Sequence, residues 1–463
     1  MSSEQTTDNP MIDQYRLMVP GDHQNTRLAS GWIFLAVGSM AIAGILTILI
    51  ASSRTPYIQD IIPWVGFFHT ALVVHVDLTV LTWFLAYAGM FWTLNSVNRA
   101  HAMGWLALAL AVLGTLVMVA SPFREAGTPS MNNYVPVLID PVFLSGLFVF
   151  GLGFAVLVLR GLLFSTPVGI TISADGAIRF ALYTALLTAL ISILALIASY
   201  VGMPEHATGE YFFELLFWGS GHTLQFVHVQ LLLVSWLVLS VAAGIIPKLQ
   251  PRLTVFLFAL GLVPVMATIV VYMMFDVGSG NHMQAISWLM QYGGGMAALP
   301  MGLLIIYSIF SAKKARLAAS GERNALFFSL ILFAVGGVFG FMISGSNVIV
   351  PAHYHGSIIA ITIAFMGLTY HLLPRLGFRK PEGRMVCWQP VVLGVGQLMH
   401  IGGLAWSGGY GVQRKTAGAA QGLDVLEKKI SMGVMGMGAL VAVIGGIMFM
   451  IIVYKSTRAG KNI

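Results

Sequence analysis

The residues here that could do chemistry are histidines set inside long apolar runs, where a ligand-capable side chain is costly and generally tied to function. His75 lies in Leu72-Val-Val-His75-Val-Asp77, and His222 in Trp218-Gly-Ser-Gly-His222-Thr-Leu-Gln225-Phe226. His282 follows Asn281, while His353 and His355 share the segment Pro351-Ala-His353-Tyr-His355-Gly356. Two residues apart on an α-helix is a rotation of about 200°, so the imidazoles of His353 and His355 leave opposite sides of one helix. They cannot share one small metal site, but each can ligate one of two planar cofactors flanking the helix. Two hemes, each wanting an axial imidazole, suit that geometry. The plainer alternatives are a structural His-x-His and, for His75 alone, a hydrogen-bonded packing residue. Of the 12 histidines, His23, His101 and His206 fall in loops, and His371 and His400 fall near the ends of their runs on the side of the chain termini.

The elements that must position these groups follow from composition. Of 463 residues 57% are apolar and only 9% charged, far below the roughly one quarter that a water-facing surface needs. The apolar residues come in unbroken runs rather than in alternation, which excludes a membrane β-barrel. Runs near 30–52, 64–93, 104–122, 135–160, 176–202, 211–246, 254–276, 285–312, 325–346, 351–376, 388–408 and 430–454 predict an all-α integral membrane protein, a bundle of twelve transmembrane helices. The expected organisation is a polar segment 1–29, a single membrane domain 30–454 and a tail 455–463. With twelve spans both termini share a side, and 18 of the 24 Lys and Arg, among them Lys313, Lys314, Arg316 and Lys461, fall on it; this places both termini in the cytoplasm. The five histidines then map to the outer half of the bundle. The first residues lack the basic-then-apolar order of a cleaved signal, so the first span is expected to be retained. The single cysteine, Cys387, excludes a disulfide framework, an iron–sulfur cluster and covalent heme attachment. The 51 glycines, including Gly293 to Gly295, suit close helix approach or space for a porphyrin, and the 25 methionines suit adaptable packing.

With twelve spans, cytoplasmic termini, a histidine in span two, Trp218-x-x-x-His222 in span six, His282 past span seven and Ala352-His353-Tyr354-His355-Gly356 in span ten, the chain resembles the catalytic subunit I of the heme-copper oxidase superfamily over nearly its whole length. The resemblance implies that His75 and His355 are the axial pair of a low-spin heme and that His353 is the proximal ligand of a high-spin heme. It implies that His222 and His282 bind the neighbouring non-heme metal, and that Arg414 and Lys415 hold heme propionates, a role two adjacent cations on a loop suit.

Two positions depart from that pattern. Oxygen-reducing members usually carry a cross-linked tyrosine four residues after the span-six histidine, where this chain has Phe226. The usual His-His pair after span seven is Asn281-His282 here, and an asparagine oxygen suits ferrous iron better than copper. Gln225 offers a further oxygen or a hydrogen bond; a different residue as third ligand is the alternative. Nitric oxide reductases of the superfamily use non-heme iron and lack the cross-linked tyrosine, although their usual span-six glutamate is absent unless Gln225 or Glu214 substitutes.

The acids lean outward: Asp60, Asp77, Asp140, Asp276, Glu125, Glu205, Glu210, Glu214, Asp424 and Glu427 fall on the outer half, whereas Glu4, Asp8, Asp13, Asp22, Asp175, Glu322 and Glu382 are cytoplasmic and none lies deep in a span. Protons are expected to enter from outside through Glu210, Glu214, Asp140 or Asp276, unless these merely face water or balance Arg124. Tyr272, Ser344 and Thr362 are cytoplasmic-side alternatives for a proton path. The expectation is a multi-pass enzyme of the cytoplasmic (inner) membrane that reduces nitric oxide to nitrous oxide with a low-spin heme, a high-spin heme and a non-heme metal, iron before copper. The alternatives are a terminal oxidase reducing oxygen to water, or a permease or a heme-binding sensor without turnover. Electrons must come from a partner subunit of cytochrome c or cupredoxin type, or from a quinol. No nucleic acid is expected.

Overall fold

The computed structural model describes residues 15–61, 67–124, 127–312 and 321–458. Of the charges placed above by sequence, Lys313, Lys314, Arg316, Lys461, Glu4, Asp8, Asp13 and Glu125 lie outside the described residues, as do residues 1–14 of the expected polar segment and 459–463 of the tail.

Among the described residues twelve helices are long and apolar enough to cross a membrane, so the chain is a multi-pass all-α membrane protein. They are α1 (His23–Ser52), α2 (Phe68–Leu94), α3 (His101–Phe123), α4 (Pro141–Phe164), α5 (Ala174–Val201), α6 (Gly209–Ala242), α7 (Pro251–Met274), α8 (Gly280–Ser311), α9 (Gly321–Phe341), α10 (Ile349–Leu372), α11 (Arg384–Gly409) and α12 (Leu426–Arg458). A helix satisfies every backbone group within itself, which the hydrocarbon demands. Hydropathy sets the first span at residue 30, but α1 begins at His23 because the Asp22 carboxylate accepts from the Gln24 and Asn25 amides and caps the helix. Nor are all the spans regular. In α2 a π-helical stretch, Asp77–Thr82, follows directly on His75, and α8 is interrupted at residues 294–297 within its glycine run.

Consecutive spans pack as pairs, α3 on α4, α5 on α6, α9 on α10 and α11 on α12. The centre is formed by α2, α6 and α10, whose apolar windows are 67%, 78% and 61% buried, more than those of any other span. Their halves nearest the termini are packed solid: every residue from Trp83 to Leu94 of α2 is buried, with Phe84, Tyr87 and Phe91 against Phe365 of α10. The Tyr87 and Thr369 hydroxyls hydrogen-bond within this layer. Arg160, only 1% exposed, ties α4 to Asn25 Oδ1 at 2.9 Å, Ser96 Oγ at 3.1 Å and the Ala100 carbonyl at 3.2 Å. Charge this deep is tolerated because each donor has a partner.

The far half of the centre, opposite the termini, is less dense, and that is where His75, His222, His353 and His355 lie. A short antiparallel hairpin between α3 and α4, β1 (Thr128–Ser130) with β2 (Val137–Ile139), covers it and packs on α2 and α6.

Candidate functional site

The two histidines of α10 leave it on opposite flanks, as a spacing of two requires. His353 turns toward α9, where its Nδ1 donates to the Gly336 carbonyl at 2.7 Å. Glycines permit that approach: a Cβ at Gly336 would stand 2.7 Å from Ser357 N and 2.9 Å from the Gly356 carbonyl carbon, and one at Gly340 would stand 2.8 Å from His353 Nδ1. His355 turns toward α11 and meets His400 edge-on, with ring centroids 5.0 Å apart at 75°. His75 of α2 donates from Nδ1 to the Ala43 carbonyl of α1 at 3.2 Å and lies within electrostatic range of His355. His75 and His355 are deep in the bundle yet only half-buried, so they line an internal cleft, and His353 is half-buried on the other flank of α10.

The second group gathers around His222 of α6. Its Nδ1 lies 2.6 Å from the Trp218 carbonyl, an oxygen that only accepts, so Nδ1 carries the proton and Nε2 the lone pair. Into that lone pair the Tyr134 hydroxyl donates at 2.6 Å, from the tip of the hairpin. His282, in the first turn of α8, is fully buried, with neither ring nitrogen hydrogen-bonded among the described residues. It sits edge-on to Tyr272 at 4.9 Å and close enough to His222 for their charges to interact. The Trp218 indole donates to the Met283 carbonyl at 3.1 Å and joins the two elements. Asn281 is exposed a hundred degrees round the turn from His282, and Gln225 is half-buried one turn beyond His222. Phe226 is buried among Ile191, Val265, Leu262 and Met290, in a dry cluster.

The loop cations are distributed differently from a matched pair. The Lys415 ammonium donates to the Met131 carbonyl of the hairpin, and burial together with Arg414 lowers its pKa. Arg414 Nε donates to Ser346 Oγ at 3.3 Å. Arg54, just past α1, is a third cation: one terminal nitrogen donates to the Gln413 carbonyl at 3.4 Å, its buried Nε has no partner among the described residues, its charge is felt by His355 and His400, and burial lowers its pKa. Of the acids, Glu214 accepts from Asn133 N at 3.0 Å and Nδ2 at 2.5 Å, and it lies on the α6 stripe with Trp218 and His222. Asp140 caps α4 through Phe143 N at 2.9 Å, whereas Glu210 and Asp276 are exposed. Burial and the nearby Glu214 carboxylate push the Tyr134 phenol well above its ordinary pKa.

Three placements differ from the sequence reading. His400 belongs to the far half of α11, past the midpoint of Arg384–Gly409, and packs beside His355. Tyr272 and Ser344 also lie on the far side, at the ends of α7 and α9, with Tyr272 against Ser199 Oγ at 2.7 Å. Tyr134, Arg54 and His400 are the site residues that sequence reasoning missed.

Each group fits an implied cofactor by its own chemistry. A histidine whose Nδ1–H is tied to a backbone carbonyl presents Nε2 to a metal in a fixed orientation, and His75, His222, His353 and His400 are all held this way. An unpaired buried guanidinium nitrogen suits a carboxylate. A twelve-span bundle with such a cleft on one side defines a class, the subunit I type of heme-dependent respiratory oxidoreductase found in the heme-copper superfamily. The chain belongs to the Cytochrome C and Quinol oxidase polypeptide I family, whose model matches residues 27–448. It is 27% identical over 501 aligned residues to an uncharacterized protein of Rickettsia prowazekii (strain Madrid E), covering 93% of this chain and 96% of that one. To an uncharacterized protein of Aquifex aeolicus (strain VF5) it is 29% identical over 356 residues, covering 76% and 86%.

Proposed function

We propose that the chain is the catalytic subunit of an inner-membrane respiratory enzyme that reduces nitric oxide to nitrous oxide at the cleft. In this reading residues 30–454 form one catalytic domain, His75 and His355 hold a low-spin heme, and His353 holds a high-spin heme. His222 and His282 hold a non-heme metal, with iron favoured. These groups would supply electron storage and binding positions for two small gas molecules held side by side.

The observation that carries the choice of substrate is Phe226. The position where the resemblance puts a redox-active tyrosine is a phenyl ring in an apolar cluster, which has no hydroxyl to give up a proton. Gln225 remains a half-buried oxygen donor one turn beyond His222, whereas Asn281 is exposed and turned away from His282, and Arg54, Arg414 and Lys415 are the cations for propionates. Glu214 is the acid best placed to pass protons inward from the far side, because it holds Asn133 next to Tyr134, while Glu210 and Asp276 stand at the water surface. Electrons come from a partner subunit of cytochrome c or cupredoxin type, or from a quinol.

One observation favours a second reading, reduction of oxygen to water. The Tyr134 hydroxyl on His222 is a phenol in the right neighbourhood, supplied from another element. Metal analysis with gas consumption decides between them. One non-heme iron per two hemes with nitric oxide turnover supports the proposal; one copper with oxygen consumption overturns it.

A further inference from the structure

The phenol on His222 is too carefully built for packing alone. Its loop is fastened at three points: Lys415 donates to the Met131 carbonyl, Asn133 is held by Glu214, and Asn132 bridges Val135 through its amide, accepting from N at 3.0 Å and donating to O at 2.5 Å. Gly221 leaves the room the ring needs, since a Cβ there would collide with Tyr134 Cβ and Cγ. Trp218 stands edge-on to the ring at 6.1 Å, and the His222 ring lies 4.3 Å from it.

We propose that Tyr134 Oη is an oxygen ligand of the second metal, completing with His222 Nε2 and His282 the set of donors that the span-six and span-eight residues leave short. This rests on the reading of the cleft as a heme and non-heme metal centre. The assignment of nitrogens is forced by the Trp218 carbonyl, which keeps the proton on Nδ1 and aims the Nε2 lone pair at Oη. A cation bound by that lone pair releases the phenolic proton to water and turns Oη aside from the lone-pair axis, so that the two atoms become neighbours around it. At bond lengths of about 2.1 Å, two donors at right angles on one metal stand about 3.0 Å apart. The present separation is 2.6 Å, so the pair opens by about 0.4 Å as Oη swings off the lone-pair axis. The remaining donor is ready, because both buried nitrogens of His282 lack a partner among the described residues. A phenolate-type oxygen is a hard ligand and favours iron over copper.

The test is metal and heme content of the purified full-length chain and of Tyr134→Phe, before and after dialysis against a chelator. The expected result is one non-heme metal per two hemes in the wild type, with Tyr134→Phe keeping both hemes and their optical spectrum but losing the metal at least tenfold faster to the chelator. A variant that holds the metal as firmly as the wild type overturns the proposal and reduces Tyr134 to a hydrogen-bond donor. A wild type with no heme overturns the underlying functional reading instead. Should Tyr134→Phe lose its hemes, resonance Raman of the oxidised wild type grown with ring-deuterated tyrosine decides. Isotope-shifted phenolate modes support ligation, and their absence overturns it.

Discussion

Replacing Gly336 by alanine tests how His353, the proposed high-spin heme ligand, is held. The new Cβ would sit 2.7 Å from Ser357 N and 2.9 Å from the Gly356 carbonyl carbon, both backbone of α10, so no side-chain rotation relieves the clash. Ordinary contact needs about 3.4 Å, so α9 and α10 must part by about 0.7 Å at this level. The His353 Nδ1 to Gly336 O distance would then grow from 2.7 Å to about 3.4 Å, beyond a useful hydrogen bond. Loss of such an orienting partner costs roughly 10- to 100-fold in affinity of the bound metal group, or about 1.4 to 2.7 kcal/mol. His355 faces the other flank and keeps its contact with His400, so the loss falls on one heme only. The assay is heme content by pyridine hemochromogen together with the carbon monoxide difference spectrum. The expected result is a reduced carbon monoxide-binding fraction with the low-spin bands unchanged. Equal loss of both hemes, or of neither, would refute the argument from opposite flanks.

Other outcomes follow from single contacts. His353→Ala is expected to remove the carbon monoxide-binding heme and leave the low-spin bands, and His355→Ala the reverse; optical spectra of the two variants should be complementary. Gly221→Ala pushes the Tyr134 ring out of its place and overpacks the hairpin at a cost of about 1 to 3 kcal/mol. It is expected to lower the thermal midpoint in detergent and to weaken retention of the second metal while both hemes stay. Asp22→Ala removes the α1 cap at a cost of about 1 kcal/mol, lowering the midpoint with no spectral change.

What the sequence made legible was what local pattern controls. Unbroken apolar runs gave twelve spans because a helix is the one element that satisfies its own backbone in lipid, and a spacing of two fixed the opposite flanks of His353 and His355. Local pattern did not reach contacts made across the chain. Tyr134 meets His222 from 88 residues away, out of a short loop that no local pattern ties to α6. His400 was misplaced although the expected run, 388–408, matches α11 closely, since position 400 already lies past its midpoint on the far side, and only the contact with His355 shows its place at the site. The π-helical stretch after His75 and the interruption of α8 were also unread, since tertiary packing decides both.

The central claim is that α2 and α10 hold two hemes through histidine. The most direct measurement is the heme content of the purified full-length chain, with its dithionite-reduced optical spectrum and the same spectrum under carbon monoxide. The account predicts two hemes per chain, of which one shifts with carbon monoxide and one does not. Absence of Soret and α bands, or a single heme per chain, would contradict it.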